Sequence, residues 1–265
     1  MINYFIYSSP NAVNLENTSI LIIGDSHPRR SINPKYFDNA KNISRDAEPF
    51  VITYWKLKKI FKSNVPDTII IGFAPHNISK SNDLNFSKKP ERMFKESYPF
   101  QQLNDISSVI NIDYITFYQT LWKQTGFYPR RNHIILDDDF PWYINNLNNC
   151  EGVAKRHYYH NGAQLGFSQT QVNYLDSIIN LTNSNKIKLI IVSPPVHSQY
   201  LNKIPFPILE KYDGLIEKYN DSHIIFDKTR ESYPDSLLMD SDHLNQMGAK
   251  RFTTELIEYV KEVNH

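Results

Sequence analysis

The chain has 265 residues, enough to bury a full core as one α/β domain, and its 29 Lys and Arg balance 28 Asp and Glu to a net charge of +1. That balance, spread along the chain, excludes the basic footprint of a duplex nucleic-acid binder, and the single cysteine, Cys150, excludes an internal disulfide framework or a cysteine-based zinc site. There is no apolar run of membrane-spanning length, and the opening MINYFIYSSPNAVNLENTS lacks the basic and long apolar regions of a signal peptide, so a soluble chain is expected.

In chain order, SILIIG (residues 19–24) is a short β-branched run bounded by polar residues, which predicts a buried strand. NAKNIS (39–44) is a weaker strand candidate. PFVITYWKLKKIFKSN (49–64) predicts a helix with Ile52, Trp55, Ile60 and Phe61 on its apolar face and its lysines on the other. DTIIIGF (67–73) is the next strand. Residues 79–166 then break the alternation with YPFQQLND, FYQTLWKQTGFYPRR and DDDFPWYINN, rich in aromatic residues, Asn and Pro. This stretch reads as an insertion within a single domain spanning 1–265, placed to cover a site. Its neighbourhood of Trp122, Trp142, Tyr143, Tyr158 and Tyr159 could stack on sugar rings or simply pack. QVNYLDSIINLTN (171–183) predicts a helix, KIKLIIVS (186–193) a strand, and SHIIFD (222–227) a short strand. A last helix is expected to start after Asn245, a suitable N-cap, and to run to about Val260.

Strands that are continuous apolar runs alternating with helices predict an α/β fold, a parallel sheet covered on both faces. Ligands of such sheets sit at the carboxyl ends of the strands. Three polar segments meet that condition: Gly24-Asp25-Ser26-His27, Ala74-Pro75-His76-Asn77, and Met239-Asp240-Ser241-Asp242-His243-Leu244-Asn245.

A serine hydroxyl becomes a nucleophile when a base takes its proton and a third group orients that base. Asp240 and His243, three residues apart, can meet across one tight loop, which makes Ser26, His243 and Asp240 the candidate catalytic residues. Asp242 competes as the acid, but neighbouring side chains in an extended loop point apart, which favours Asp240. Pro28 allows Ser26 to open a helix, whose N-terminus favours negative charge. The Ser26 backbone N–H and the Asn77 side chain are the candidate oxyanion donors. His27, His76 and His197, beside strand ends, and Arg29, Arg30 and Arg45 each have a binding reading and a structural one. Of these, Arg29, Arg45, His76 and His197 are the candidate substrate-binding residues.

Gly24-Asp25-Ser26 near the start, an Asn closing the loop after the strand at 67–73, and Asp-x-x-His before the final helix resemble the SGNH, or GDSL, hydrolase superfamily. The resemblance covers residues 19 to about 260 apart from the insertion. It implies a three-layer α/β/α sandwich with a flavodoxin-like five-stranded parallel sheet, and the triad Ser26, His243 and Asp240. Asn77 matches the asparagine of the family's third block. Where the second block presents a glycine donor, this chain offers NISRDAE (42–48), with the backbone N–H of Ser44 or a neighbour in that place. The third block, GFAPHN (72–77), lacks the usual second acid. These departures, and SPPVHSQY (193–200), resemble the branch associated with O-acylation of cell-envelope polysaccharides. That branch implies a carbohydrate ester substrate, cell-envelope acylation partners and a periplasmic or envelope location; the sequence leaves a cytoplasmic one open.

The expected activity is ester hydrolysis or O-acyl transfer without metal or organic cofactor. Two readings compete: a catalytically silent glycan- or protein-binding module, and a dinuclear metallophosphoesterase starting from Asp25-x-His27 with His76, Asp242 and His243. The second lacks the Gly-Asp-x-x-Asp, Gly-Asn-His and Gly-His-x-His segments that such a site uses.

Overall fold

The computed structural model describes residues 15–88 and 147–263, together with Ile115, Tyr118, Gln119 and Trp122. Five strands form one parallel sheet: β1 (Ile20–Ile23), β2 (Ala40–Asn42), β3 (Thr68–Gly72), then β6 (Lys188–Ser193) and β7 (Ile224–Asp227) after a two-stranded hairpin. The spatial order is β2-β1-β3-β6-β7, the flavodoxin-like winding. The hairpin pairs β4 (Tyr159–His160) with β5 (Ala163–Gln164). Its turn is Asn161-Gly162, both at positive φ, as a two-residue hairpin requires.

Strand residues alternate between two apolar layers. Leu21, Ile23, Ile69, Ile71, Leu189 and Ile191 face one side, where they pack against α2 (Phe50–Ile60), α4 (Cys150–Tyr158), α5 (Gln169–Ser184) and α7 (Phe206–Asn220). Ile22, Ile70, Ile190, Val192 and Phe226 face the other, covered by α8 (Gln246–Val263) through Phe252 and Leu256. Helix α1 (Ser26–Ser31) lies on the α8 side, and the short α3 (Ser81–Lys88) and α6 (Ser198–Leu201) sit in loops. This is the expected three-layer α/β/α sandwich. Among the described residues no helix is long and apolar enough to cross a membrane.

Packing adds detail to these elements. The α2 lysines do not all face water: Lys56 is as fully buried as Val51 and Leu57 of its own helix, because Glu48 meets it inside. Helix α4, within the stretch read as an insertion, places Cys150, Val153, Ala154 and Tyr158 in the main core. Tyr158 is therefore closed to a sugar, its hydroxyl 3.1 Å from that of Tyr200. Trp122 is exposed, while Trp142 and Tyr143 lie outside the described residues.

The seating of α1 on the sheet depends on two missing side chains. Gly24 leaves β1 at φ +136°, a conformation L side chains rarely adopt, and a Cβ there would come within 2.9 Å of Pro28. On the neighbouring strand a Cβ at Gly72 would lie 2.4 Å from Pro28 Cδ. Gly72→Ala is therefore expected to lift α1 off the sheet and to cost about 1–3 kcal/mol in urea unfolding, as overpacking does. Adding Pro28→Ala should recover part of that loss; equal stability of Gly72→Ala and wild type would show that α1 does not depend on the missing side chain at Gly72.

Candidate active site

The carboxyl ends of β1 and β3 and the loop before α8 bring the three polar segments together. Asp25 is the N-cap of α1, its Oδ1 accepting the His27 N–H at 2.9 Å, and so Ser26 becomes the first helical residue. At six residues α1 offers local N–H groups rather than a large summed dipole.

The loop 239–243 is closed by its own backbone. Met239 N–H donates to His243 O at 2.8 Å, and Leu238 and Leu244 form an antiparallel bridge around it. Inside, Asp240 Oδ1 accepts the N–H groups of Asp242 and His243 at 3.1 and 2.9 Å, a local turn that aspartate favours. Asn245 fixes the exit: its Oδ1 accepts from Met247 and Gly248 at the start of α8, and its Nδ2 donates back to Ser236 and Leu238 carbonyls. The N–H of His197 donates to Ser241 O at 3.0 Å, tying the loop after β6 to the same place.

Within this frame His243 Nε2 lies 2.7 Å from Ser26 Oγ, and His243 Nδ1 lies 2.8 and 3.0 Å from the two oxygens of Asp240. The side chain of His243 is 10% exposed and that of Asp240 27%. These contacts set the tautomer: Nδ1–H donates to Asp240, which leaves Nε2 to accept from the serine hydroxyl.

Asp242 departs from expectation. Its side chain does not point away but is buried beside His243, with Oδ1 3.5 Å from His243 Nδ1 and Oδ2 3.5 Å from His27 Nε2. The bend that Asp240 imposes by accepting two successive N–H groups turns the chain so that positions 240, 242 and 243 face one another. His27 is equally buried, and its Nδ1 has no hydrogen-bond partner among the described residues.

A second carboxylate–imidazole pair stands alongside. Asp25 Oδ2 receives His76 Nε2 at 2.5 Å and Asn77 Nδ2 at 2.7 Å. Asn77 Oδ1 in turn accepts the Ala74 N–H at 2.7 Å. One Nδ2 proton of Asn77 is thus engaged with Asp25, and the same nitrogen lies 3.4 Å from His76 Nε2. The His76 ring stacks on His157 at 4.9 Å and tilts against His27 at 4.4 Å. His157 continues the row inward, with Nδ1 2.8 Å from Tyr200 Oη.

Burial works against ionising Asp25, yet His76, His27 and their hydrogen bonds prevail and hold its carboxyl well below the usual range. The same opposition holds for Asp242, where burial yields to His243 and His27. For His243, burial disfavours the charged ring, but the negative Asp242 and Asp240 outweigh it and raise the pKa above the ordinary 6.5. His157 is pushed down to about 3, by burial first and then by His76, against the opposing pull of Asp242.

The other named residues are held elsewhere. The Ser44 backbone N–H, one of the N–H groups expected at the second block, donates to Asn42 Oδ1 at 3.1 Å. Asn42 occupies it because the same side chain donates to the carbonyls of Pro28 and Ile32, stapling α1 to the loop. Arg29 and Arg30 converge on Asp46 at 3.2 and 3.0 Å. The Arg45 N–H donates to Gly24 O at 2.9 Å, which places its backbone beside the end of β1. His197 caps α6 with its Nδ1, and its Nε2 lies 3.5 Å from Asp235.

His27, Asp242 and His243 lie close enough to share a cation, with candidate atoms within 4.8 Å of one another. Both nitrogens of His243 have partners in Ser26 and Asp240, and His76 is held by Asp25.

No protein-family model and no curated protein matches the sequence. Among solved structures, the chain is similar to a GDSL-like lipase from Bacteroides thetaiotaomicron, at 11% identity over 99% of this chain and 98% of that one, with a TM-score of 0.46. It is also similar to a Bacteroides fragilis protein assigned as an acylhydrolase, at 10% identity over 93% and 88% of the two chains and a TM-score of 0.45. A third is an acetyl xylan esterase from the rumen bacterium Butyrivibrio proteoclasticus, at 13% identity over 92% and 63%, with a TM-score of 0.34.

Proposed function

We propose that the chain hydrolyses small acyl esters through a Ser26 acyl-enzyme. The observation that carries this reading is the unbroken line Ser26 Oγ, His243 Nε2, His243 Nδ1 and Asp240, with contacts of 2.7 and 2.8 Å, at the carboxyl end of the sheet.

In the first half-reaction Ser26 Oγ attacks the carbonyl carbon while His243 Nε2 takes its proton. The negative oxygen of the tetrahedral intermediate is held by the Ser26 backbone N–H and the second Nδ2 proton of Asn77. Collapse breaks the ester C–O bond, and His243 returns the proton to the leaving alkoxide. Water then repeats the sequence on the Ser26 ester and releases the acid. Replacing that water with a sugar hydroxyl would give O-acyl transfer by the same residues, so the triad serves both outcomes. An acetyl-type group on a carbohydrate is the substrate supported by the resemblance of the 72–77 and 193–200 segments to the polysaccharide O-acylation branch.

One observation favours the silent-module reading instead: Asn42 engages the Ser44 N–H, one of the donors expected from the second block. A fluorophosphonate probe separates the two. An esterase is labelled on Ser26, loses the label in Ser26→Ala, and releases acetate from aryl acetates or acetylated polysaccharide. A wild-type protein that stays unlabelled and inactive on every ester would leave only binding.

The pH profile depends on the charge on His243. The base must be neutral, and Asp242 and Asp240 hold its pKa above 6.5 against burial. Lowering the pH through that raised value protonates Nε2 and removes the acceptor. On an aryl acetate, kcat/KM is expected to rise along an acid limb centred above 6.5 and then to level off. A profile still flat at about pH 5, well below the ordinary histidine range, would mean that His243 is not the base.

A further inference from the structure

The triad reading uses one carboxylate, yet two face the same imidazole. Asp240 takes the Nδ1 proton directly, at 2.8 and 3.0 Å, and is partly exposed, so water screens its charge. Asp242 is 3.5 Å from the same nitrogen and almost wholly buried, so its field reaches His243 with little screening. The exposed acid orients the ring; the buried one has the stronger hold on the ring's charge.

The contacts of Asp242 show which state of His243 suits it. Among the described residues, the polar groups near its oxygens are the Ser241 hydroxyl at 3.3 Å, His27 Nε2 at 3.5 Å and His243 Nδ1 at 3.5 Å, all long for a buried carboxylate. His27 directs Nε2 at Asp242 and leaves Nδ1 buried without a partner among the described residues. A buried carboxylate with only long contacts gains from a positive charge that arrives beside it. Proton transfer from Ser26 to His243 Nε2 creates that charge. The charged and titratable groups around His243 are Ser26, His27 and Arg30 from α1 and Asp240 and Asp242 from its own loop; His157 of α4 and His76 lie behind His27 and Asp242. Arg30 opposes an imidazolium there, so the two acids act against it together.

We propose that Asp242 is a second carboxylate for His243: a positioning residue, held in place by His27, whose buried charge stabilises the imidazolium that forms as Ser26 attacks. The assignment of that step rests on the acyl-enzyme reading; the electrostatic claim about His243 does not.

The test is an NMR titration of the His243 ring in wild type, Asp240→Asn, Asp242→Asn and the double variant, with kcat/KM against pH for each. In Asp242→Asn the His243 pKa falls by about one pH unit or more and the acid limb moves with it. In Asp240→Asn the ring keeps a pKa no lower than an ordinary histidine, because Asp242 remains. That single change loses far less than the roughly 10⁴-fold that removal of a triad's only acid costs, and the double variant reaches it. Asp240 is partly exposed, so its variant keeps the test open if Asp242→Asn fails to fold. An unmoved His243 pKa in Asp242→Asn, or a full loss of rate and a fallen pKa in Asp240→Asn alone, would overturn the proposal. The titration needs no substrate: a protein that fluorophosphonate never labels but whose His243 pKa tracks Asp242 would defeat the acyl-enzyme reading and leave the second carboxylate standing.

Discussion

Ser26→Ala is expected to lower kcat on a small aryl acetate by about 10⁵–10⁶-fold, the loss seen when a triad nucleophile is removed. The size comes from what the hydroxyl touches. Ser26 Oγ has its hydrogen bond with His243 Nε2 at 2.7 Å, the contact that turns a hydroxyl into a nucleophile. His27 and His76 are taken by Asp242 and Asp25, so neither can promote water in its place. His243→Ala should cost a similar factor, and the double variant no more than either, because nucleophile and base act as one unit. KM should change little, since the hydroxyl meets the reacting carbon and not the rest of the substrate. Stability should stay within about 1 kcal/mol, as one partly exposed hydrogen bond is lost. Steady-state and burst kinetics on the purified variants decide the point. A Ser26→Ala protein within about tenfold of wild type, far short of the loss of a nucleophile, would place the ester chemistry elsewhere in the molecule.

The legible part of this site is the part that depends on short-range spacing. Leu21, Ile22 and Ile23, like Ile69 to Ile71, announce buried strands as β-branched or aliphatic runs, and each run gives way to polar residues at the carboxyl edge of the sheet. Asp240 and His243 meet across a turn that lies wholly within the loop 239–243, so their contact is already implied by the segment MDSDHLN. The rest depends on partners far away in the chain. Asp242 reaches His243 because Asp240 bends the backbone, and it is kept buried by His27, 215 positions away. Ser44 has a backbone N–H in a suitable block, but Asn42 has to secure the end of α1 and takes that N–H while doing so. Helix α7 carries Ile208, Tyr212, Leu215 and Tyr219 on one face, and its two tyrosines blur the apolar stripe that periodicity looks for. Tyr212 is there for a reason outside its helix: its hydroxyl sits 2.7 Å from Ser193 Oγ at the end of β6 and 3.0 Å from Thr229.

Lys56 is the clearest case of such a partner, and replacing it should give the largest loss of stability. Its Nζ donates to Glu48 Oε2 at 2.6 Å and to the Ile43 carbonyl at 3.0 Å, and the Thr53 hydroxyl donates to Glu48 Oε1 at 2.8 Å. Both charged groups are shut off from water, and burial pushes each towards its neutral form: the Glu48 carboxyl upward and the Lys56 ammonium downward, against their mutual attraction. Lys56→Met keeps much of the length and the apolar stem but leaves Glu48 buried without its counter-ion and Ile43 O without its donor. Removing one member of a buried pair costs about 3–5 kcal/mol. For a chain of this size that corresponds to a fall of roughly 10 °C in Tm. Glu48→Leu added to Lys56→Met removes both charges and should recover much of the loss, since two apolar groups need no partner. Urea unfolding of the single and double variants measures this; a single variant within about 1 kcal/mol of wild type, close to the margin of an ordinary surface change, would show that the pair is open to water. The pair also bears on activity, because it anchors residues 43–48, the loop whose Arg45 N–H bonds to Gly24 O at the base of the Ser26 turn. The double variant should regain stability without the polar hold on Ile43, so its kcat is expected to stay below wild type even where its Tm recovers.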